Sequence, residues 1–276
     1  MLMTESAAFN STTAQKRYRG FAHCHSKYSY DGKYSYAELR ELFLKKGLDF
    51  VCITEHIEYL DQSKIDALID DCRANSDQQF LFIPGLEMDE FVIYFIGIDH
   101  VNIDFSSSKA VFNSLLSVAR LCVFSHPIKA KYQYPMWLMN VCDGVEIWNT
   151  KHDGIHYPRR QSLNLLKQVC NSRAQAVALV GMDFHSQSHL SPANIELLNY
   201  GELNEDFVLD EIKHGRFRIC KDQQYIDSIS AMHREFLWLR IAFMDMAHAL
   251  HLALSSRGIV VPKSLKRGFR KLMEGK

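Results

Sequence analysis

Proline is scarce in this chain, six in 276 residues, and its seven cysteines are an odd number with no CxxC pair. An odd scatter of thiols argues against a disulfide framework and places the expected compartment in the reducing cytoplasm. Net charge is missing too, since 32 Lys and Arg offset 32 Asp and Glu. No global field therefore draws the chain to an extended nucleic-acid surface or an anionic membrane. No long uncharged apolar run stands out: the most apolar stretch, Phe236 to Leu254, is broken by Arg240 and Asp245. A spanning helix needs about 20 nearly uncharged residues, so no membrane partner is expected. The opening "MLMTESAAFNSTTAQKRYRG" has no basic region leading into an apolar core, so it reads as a loose arm over 1–19 and not as a leader.

What is present suits a globular fold, with 47% hydrophobic and 23% charged residues. Short apolar runs ("GFAHCH", "DFVCITEH", "QFLFIPGLEM", "FVIYFIGID", "LCVFSHP", "GVEIWN", "AVALVGMDFHS", "RFRIC") alternate with amphipathic segments. The latter predict helices over Ser35–Lys46, Asp61–Ala74, Ser107–Ala119, Arg159–Cys170 and Asn204–His214. Such alternation predicts an α/β fold with a mainly parallel sheet, open or closed into a barrel. "FIPGLEMDEFVIYFIGI" has no room for a helix between its apolar halves and predicts a local hairpin. From Ser228 to Ser256 the apolar positions take helical spacing, giving a C-terminal amphipathic helix within a 225–276 extension; the basic closing "KSLKRGFRKLMEGK" reads as a solvated tail.

The histidines and carboxylates fall at the ends of the strand candidates. His23 and His25 sit two apart, which on an extended strand places both on one face with Cys24 opposite. His56 closes "ITEH", Glu87 follows "PGL", His126 closes "FSH", Glu146 to His152 spans "EIWNTKH", and Asp183 and His185 close "GMDFH". Taken singly, each has an ordinary structural explanation, as a cap, a turn acid or a core hydrogen-bonded pair. Jointly they demand one coincidence at strand after strand, whereas strand C-termini of an α/β barrel converge on a single face. Imidazole and carboxylate without obligatory thiolate suit Zn, Mn or Fe, so Cys24 and Cys52 read as buried neighbours. His100, His156, His189, His214, His233, His248 and His251 lack the full strand-end setting.

With those pieces assembled, "HCHSKYSYDG", "ITEH", "GLE", "SHP" and "GMDFH" resemble, in order, the motifs of the PHP domain (polymerase and histidinol phosphatase) family, across Gly20 to Lys221. The resemblance implies a distorted (β/α)7 barrel over 20–224 with a cluster of two or three divalent ions. His23, His25, Glu87 and Asp183 would hold one ion; Asp31, His56 and His185 a second; and Glu87 as a bridge, with His126 and His152, a third. His156 competes with His152 for the last position. Asp31, His56, Asp183 and His185 are the implied catalytic residues. The implied reaction is hydrolysis of a phosphomonoester or phosphodiester of a small molecule or short nucleotide by a metal-bridging hydroxide.

Arg159 and Arg160 are candidates to clamp the substrate phosphate, with Lys129 and Lys131 behind them; two surface arginines opening a helix explain the pair equally well. Two other functions stay open. One keeps the metals but cleaves a non-phosphate bond, although no strand-end lysine suited to a carbamate bridge is apparent. The other is a non-catalytic, metal-stabilised accessory module. The C-terminal helix is a candidate homo-oligomer contact or a cover for the barrel.

Overall fold

The computed structural model describes residues 16–154, 157–221, 224–228 and 231–257. Among the described residues, twelve strands share one sheet. In chain order they are β1 (Arg19–Cys24), β2 (Phe50–Ile53), β3 (Glu55–His56), β4 (Leu81–Ile83), β5 (Gly85–Met88), β6 (Ile93–Ile96), β7 (Leu121–Phe124), β8 (Gly144–Asn149), β9 (Val177–Phe184), β10 (Asn194–Leu197), β11 (Phe217–Lys221) and β12 (Gln224–Asp227). The helices are α1 (Tyr36–Leu44), α2 (Gln62–Ala74), α3 (Ser108–Val118), the single-turn α4 (Met136–Met139), α5 (Arg160–Ser172), α6 (Glu205–Lys213) and α7 (Ala231–Ser256).

Local chemistry explains where these elements begin. Ser35 caps α1 in a reciprocal box with Glu38, while Asp61, Ser107 and Asn204 each accept a first-turn N–H of the helix that follows. Two runs that read as single strands are each split by one residue, Thr54 between β2 and β3 and Pro84 between β4 and β5. Proline has no N–H to give a ladder, so the break at Pro84 follows from its chemistry. The hairpin is present: β5 pairs antiparallel with β6.

From β1, one arm runs by parallel pairing through β2 to β4, and the other runs through β9, β8, β7, β6 and β5 to β3, parallel except at β6, which is antiparallel to both its neighbours. Because β2 continues into β3, and β4 into β5, the two arms meet. The antiparallel β10, β11 and β12 extend outward from β1. Inside lies a continuous apolar core including Phe50, Ile83, Phe95, Phe124, Ile147, Leu179 and Ile195, with a second cluster of Phe21, Phe43, Phe80, Phe82 and Phe184 under α1.

The C-terminal helix differs from expectation in one respect. Glu235–Ser256, with mean hydropathy 1.2, is long and apolar enough to cross a membrane by length and composition, despite Arg240 and Asp245. Two charges in so apolar a stretch do not exclude it. Its packing is of another kind: Leu237, Ile241 and Met244 are buried, and Arg160 of α5 pairs with Asp245 at 2.8 Å.

Candidate metal centre

The site grows out of irregular strand ends. His23 has φ 69° and Asp183 φ 48°, both left-handed, and the register of β1 shifts between Phe21 and Cys24 against β2 and between Ala22 and Cys24 against β9. Plain strand alternation is therefore not what brings His23 and His25 together. His23 turns in through a bulge, and His25 lies past the strand end, its N–H donating to Phe184 O at 2.9 Å. Backbone strain of this kind costs about 1–3 kcal/mol per residue and persists where the surroundings enforce it.

Glu87 stands at the centre. Its carboxylate oxygens lie 3.2 Å from His23 Nε2, 3.4 Å from His25 Nε2, 3.6 Å from His56 Nδ1 and 2.9 Å from His126 Nε2. Asp183 is the second centre. Its oxygens lie 3.6 Å from His23 Nε2, 3.5 Å from His25 Nε2, 3.3 Å from His185 Nδ1 and 2.8 Å from His152 Nε2. Asp31 approaches His185 Nε2 at 2.8 Å and His56 Nε2 at 3.8 Å. All of the implied ligands thus lie in one neighbourhood; His156 lies outside the described residues. Cys24 and Cys52 are buried in the core.

Three buried groupings could each hold an ion, their ligand atoms within 4.8 Å of one another: His25, His56 and His185; His23, His126 and Asp183; and His23, His25 and Glu87. These cut across the sets implied by the motifs, since His25 sits with both His56 and Glu87. The donors fit divalent cations on a further count. His25 Nε2, Asp31 Oδ1, His56 Nδ1, Glu87 Oε1, both nitrogens of His126 and His185 Nε2 are buried without a well-directed hydrogen bond, although Glu87 approaches His126 at 2.9 Å and Asp31 approaches His185 at 2.8 Å. A buried polar atom without a directed bond costs about 1–3 kcal/mol, and the convergence of these atoms makes sense once lone pairs are aimed at cations.

The charge states carry the same message. Although burial pushes the Glu87 carboxyl up, His23 and the His126 contact hold it well below the usual carboxylate range. Asp183 is likewise lowered, with burial opposed by His23, His152 and His25. Burial works against protonating His25, yet Asp183 and Glu87 push it up to about 9; His23 is raised well above its ordinary value against the same opposition, by Glu87, Glu146 and Asp183. Burial, then the His25 charge, bring His185 down to about 4.

Several residues here were given no role by the sequence. Glu146 lies 3.1 Å from His23 Nδ1 and accepts the His126 N–H at 2.6 Å and the Asn149 side-chain amide at 2.9 Å. Glu55 accepts from the hydroxyls of Ser26 and Ser29, and the Ser29 oxygen in turn faces His25 Nδ1 at 3.1 Å. These carboxylates fix each ring so that Nε2 faces the cluster. Lys151 Nζ lies 2.9 Å from Asp183 Oδ2, a lysine that the sequence did not mark as part of the site. The Thr150 N–H donates to Gly181 O at 3.0 Å, so pairing continues past β8 and carries Lys151 over Asp183. Asp89 lies 3.3 Å from His56 Nδ1 at the mouth. Glu55 and Glu146 stand inside the quoted motifs, but spacing alone does not reveal a supporting role.

The two arginines are engaged within the chain. Arg159 Nε pairs with Asp153 at 2.7 Å and its guanidinium donates to His152 O at 3.0 Å, bracing the loop that carries His152; Arg160 pairs with Asp245.

A sheet whose strand ends gather buried imidazoles and carboxylates into overlapping ligand sets defines a candidate metal-binding centre. The PHP domain family model matches residues 22–227, and the chain belongs to that family. Among solved structures it is similar to a two-domain protein from Bacteroides vulgatus containing a predicted PHP-like metal-dependent phosphoesterase. That match has a TM-score of 0.57 and 16% identity, covering 82% of this chain and 70% of the other, and it shows a shared fold. No curated protein matches the chain.

Proposed function

We propose that the protein hydrolyses a phosphomonoester or phosphodiester of a small molecule or short nucleotide at a di- or trinuclear site. The observation that carries this reading is the set of buried nitrogen and oxygen atoms, several without a well-directed hydrogen bond, that converge between Glu87 and Asp183. Two or three divalent ions (Zn, Mn or Fe) held there would supply an acidified water and positive charge for phosphoryl oxygens. The meeting of the two arms of the sheet supports the distorted seven-stranded barrel as the frame, with its strand ends forming the floor of the site.

The chain's own residues then have distinct tasks. His23, His25, Asp31, His56, Glu87, His126, His152, Asp183 and His185 present ligand atoms, while Glu146 and Glu55 hold two of the rings in orientation. Lys151, at the mouth and 26% exposed, is better placed than Arg159 or Arg160 to meet a substrate phosphate. Exposed Tyr30 and Tyr59, with ring centroids 4.3 Å apart and Tyr30 5.3 Å from the His56 ring, offer an aromatic wall for an organic leaving group. We place the enzyme in the cytoplasm, on the cysteine argument.

The test is metal content of protein prepared without chelators, together with hydrolysis of p-nitrophenyl phosphate and bis-p-nitrophenyl phosphate with added Mn or Zn. Expected are two or three ions per chain, turnover of at least one ester, and a loss of at least about 100-fold in kcat/KM in His25→Ala and Asp183→Ala. Bound metal with neither ester turned over would reject the phosphoesterase reading.

A further inference from the structure

Helix α7 is apolar on two opposite sides. One side holds the buried Leu237, Ile241 and Met244. Phe236, Leu239, Phe243, Met246 and Leu250 lie on the other and are 48% to 67% exposed. Their spacing of three, four, three and four residues is the heptad seam of a helix pair, continued by the exposed Ala253. At about 100° per residue the five positions fall within a stripe about 80° wide, on the side of the helix away from the body. Ala242, Ala247 and Ala249 flank it with small side chains that let a second backbone come close.

We propose that this stripe is a homodimer interface, in which α7 pairs antiparallel with α7 of a second copy. Antiparallel pairing with two-fold symmetry gives the stripe a register in which it complements itself. Phe236 of each copy faces Ala253 of the other, Leu239 faces Leu250, and Phe243 faces Met246. Bulky residues thereby meet small ones at the ends and flexible ones near the centre, and no seam position is left without a partner. The flanking carboxylates do not oppose it, because Glu235 pairs with Lys167 and Asp245 with Arg160 within each copy. Side chains of this size and exposure amount to about 500 Å² per copy, so a pair buries about 1,000 Å², the lower bound for a specific interface.

A membrane is the other environment for an exposed apolar helix face. An interfacial helix carries a broad apolar face flanked by several basic residues, whereas this stripe is narrow and Arg240 is the one Lys or Arg between Glu235 and Ser256. The proposal is independent of the metal site.

Sedimentation equilibrium of the full chain at micromolar concentrations provides the test, with Leu239→Glu/Phe243→Glu as the variant and circular dichroism to show that it folds. The expected result is twice the chain mass for the parent and the chain mass for the folded variant, a weakening of at least about 100-fold in dimer dissociation constant. Since both substituted residues are exposed, the single variant Met246→Lys provides a second probe should the double variant misfold, and it is expected to weaken the dimer in the same direction. A monomeric parent, or a dimer untouched by Met246→Lys, overturns the proposal. So does flotation of a monomeric parent with phosphatidylcholine–phosphatidylglycerol vesicles, which would assign the stripe to lipid.

Discussion

His25 is held between two carboxylates and has a proton affinity raised to about 9, and His23 is raised as well. At neutral pH the metal-free rings therefore carry protons that a coordinating nitrogen cannot keep. Metal uptake at pH 7 is expected to release about two protons per chain, and calorimetric titration in buffers of differing ionisation enthalpy would count them. Uptake without proton release would show that these two rings are not ligands. The same shifts set how the metal-free protein responds to pH. A raised histidine contributes stability that is full below its ordinary value of 6.5 and lost as pH climbs through the folded value, about 9 for His25. The lowered Glu87 contributes above its ordinary value of 4.5 and loses that contribution in acid. Metal-free protein should accordingly have its highest melting temperature between these two ordinary values and lose stability toward pH 9. A melting temperature rising steadily from pH 6.5 to 9 without metal would contradict this. Lys151 gives a second prediction at this scale. Lys151→Met should leave metal content intact, raise KM for a phosphomonoester about 10-fold and be partly rescued by Lys151→Arg, since charge at the mouth is what is lost.

The strand ends that carry these residues depend on one backbone position above others. Gly181 lies in β9 between β1 and β8, opposite Ala22 and Asn149. A Cβ there would fall 1.5 Å from Glu146 Oε1 and 3.0 Å from His23 Cβ. Gly181→Ala would push away the carboxylate that orients His23, at a cost of about 1–3 kcal/mol and with weakened metal binding; thermal melts with and without metal would separate the two effects. This is also where sequence reading reaches its limit. His56, His126 and Asp183 could be read as ligands because each closes an apolar run, and the helix starts at Ser35 and Asp61 follow from capping chemistry alone. Glu146, Glu55 and Lys151 could not, since their roles arise from pairing between strands far apart in the chain. The left-handed turn at His23 was equally hidden, because no local residue type demands it. Alternation placed His23 and His25 on one face, whereas the structure joins them through a bulge.

At the scale of the molecule, the cluster is a set of links between distant segments. Glu87 alone draws together residues from β1, β3 and the loop after β7, and Asp183 adds the loop after β8. Without cations, buried carboxylates and imidazoles are held by partial pairing and leave several atoms unsatisfied, so the metal-free fold gives up stability at its centre. Ions binding only the native state add to stability by mass action, about 4 kcal/mol when free metal exceeds the dissociation constant a thousandfold. For a domain of this size each kcal/mol moves the melting temperature by about 2–4 °C. Exhaustive chelation is thus expected to lower it by about 10 °C for each ion lost, with recovery on adding back Zn or Mn. His152 lies in the loop braced by Arg159 and Asp153, and it touches the cluster through Asp183. In His152→Ala the shift on chelation should shrink by about a third if three ions bind and His152 holds one of them, and stay near its full size if two ions bind elsewhere. Comparing that shift with the metal count for the same variant decides between a dinuclear and a trinuclear centre without reference to any substrate.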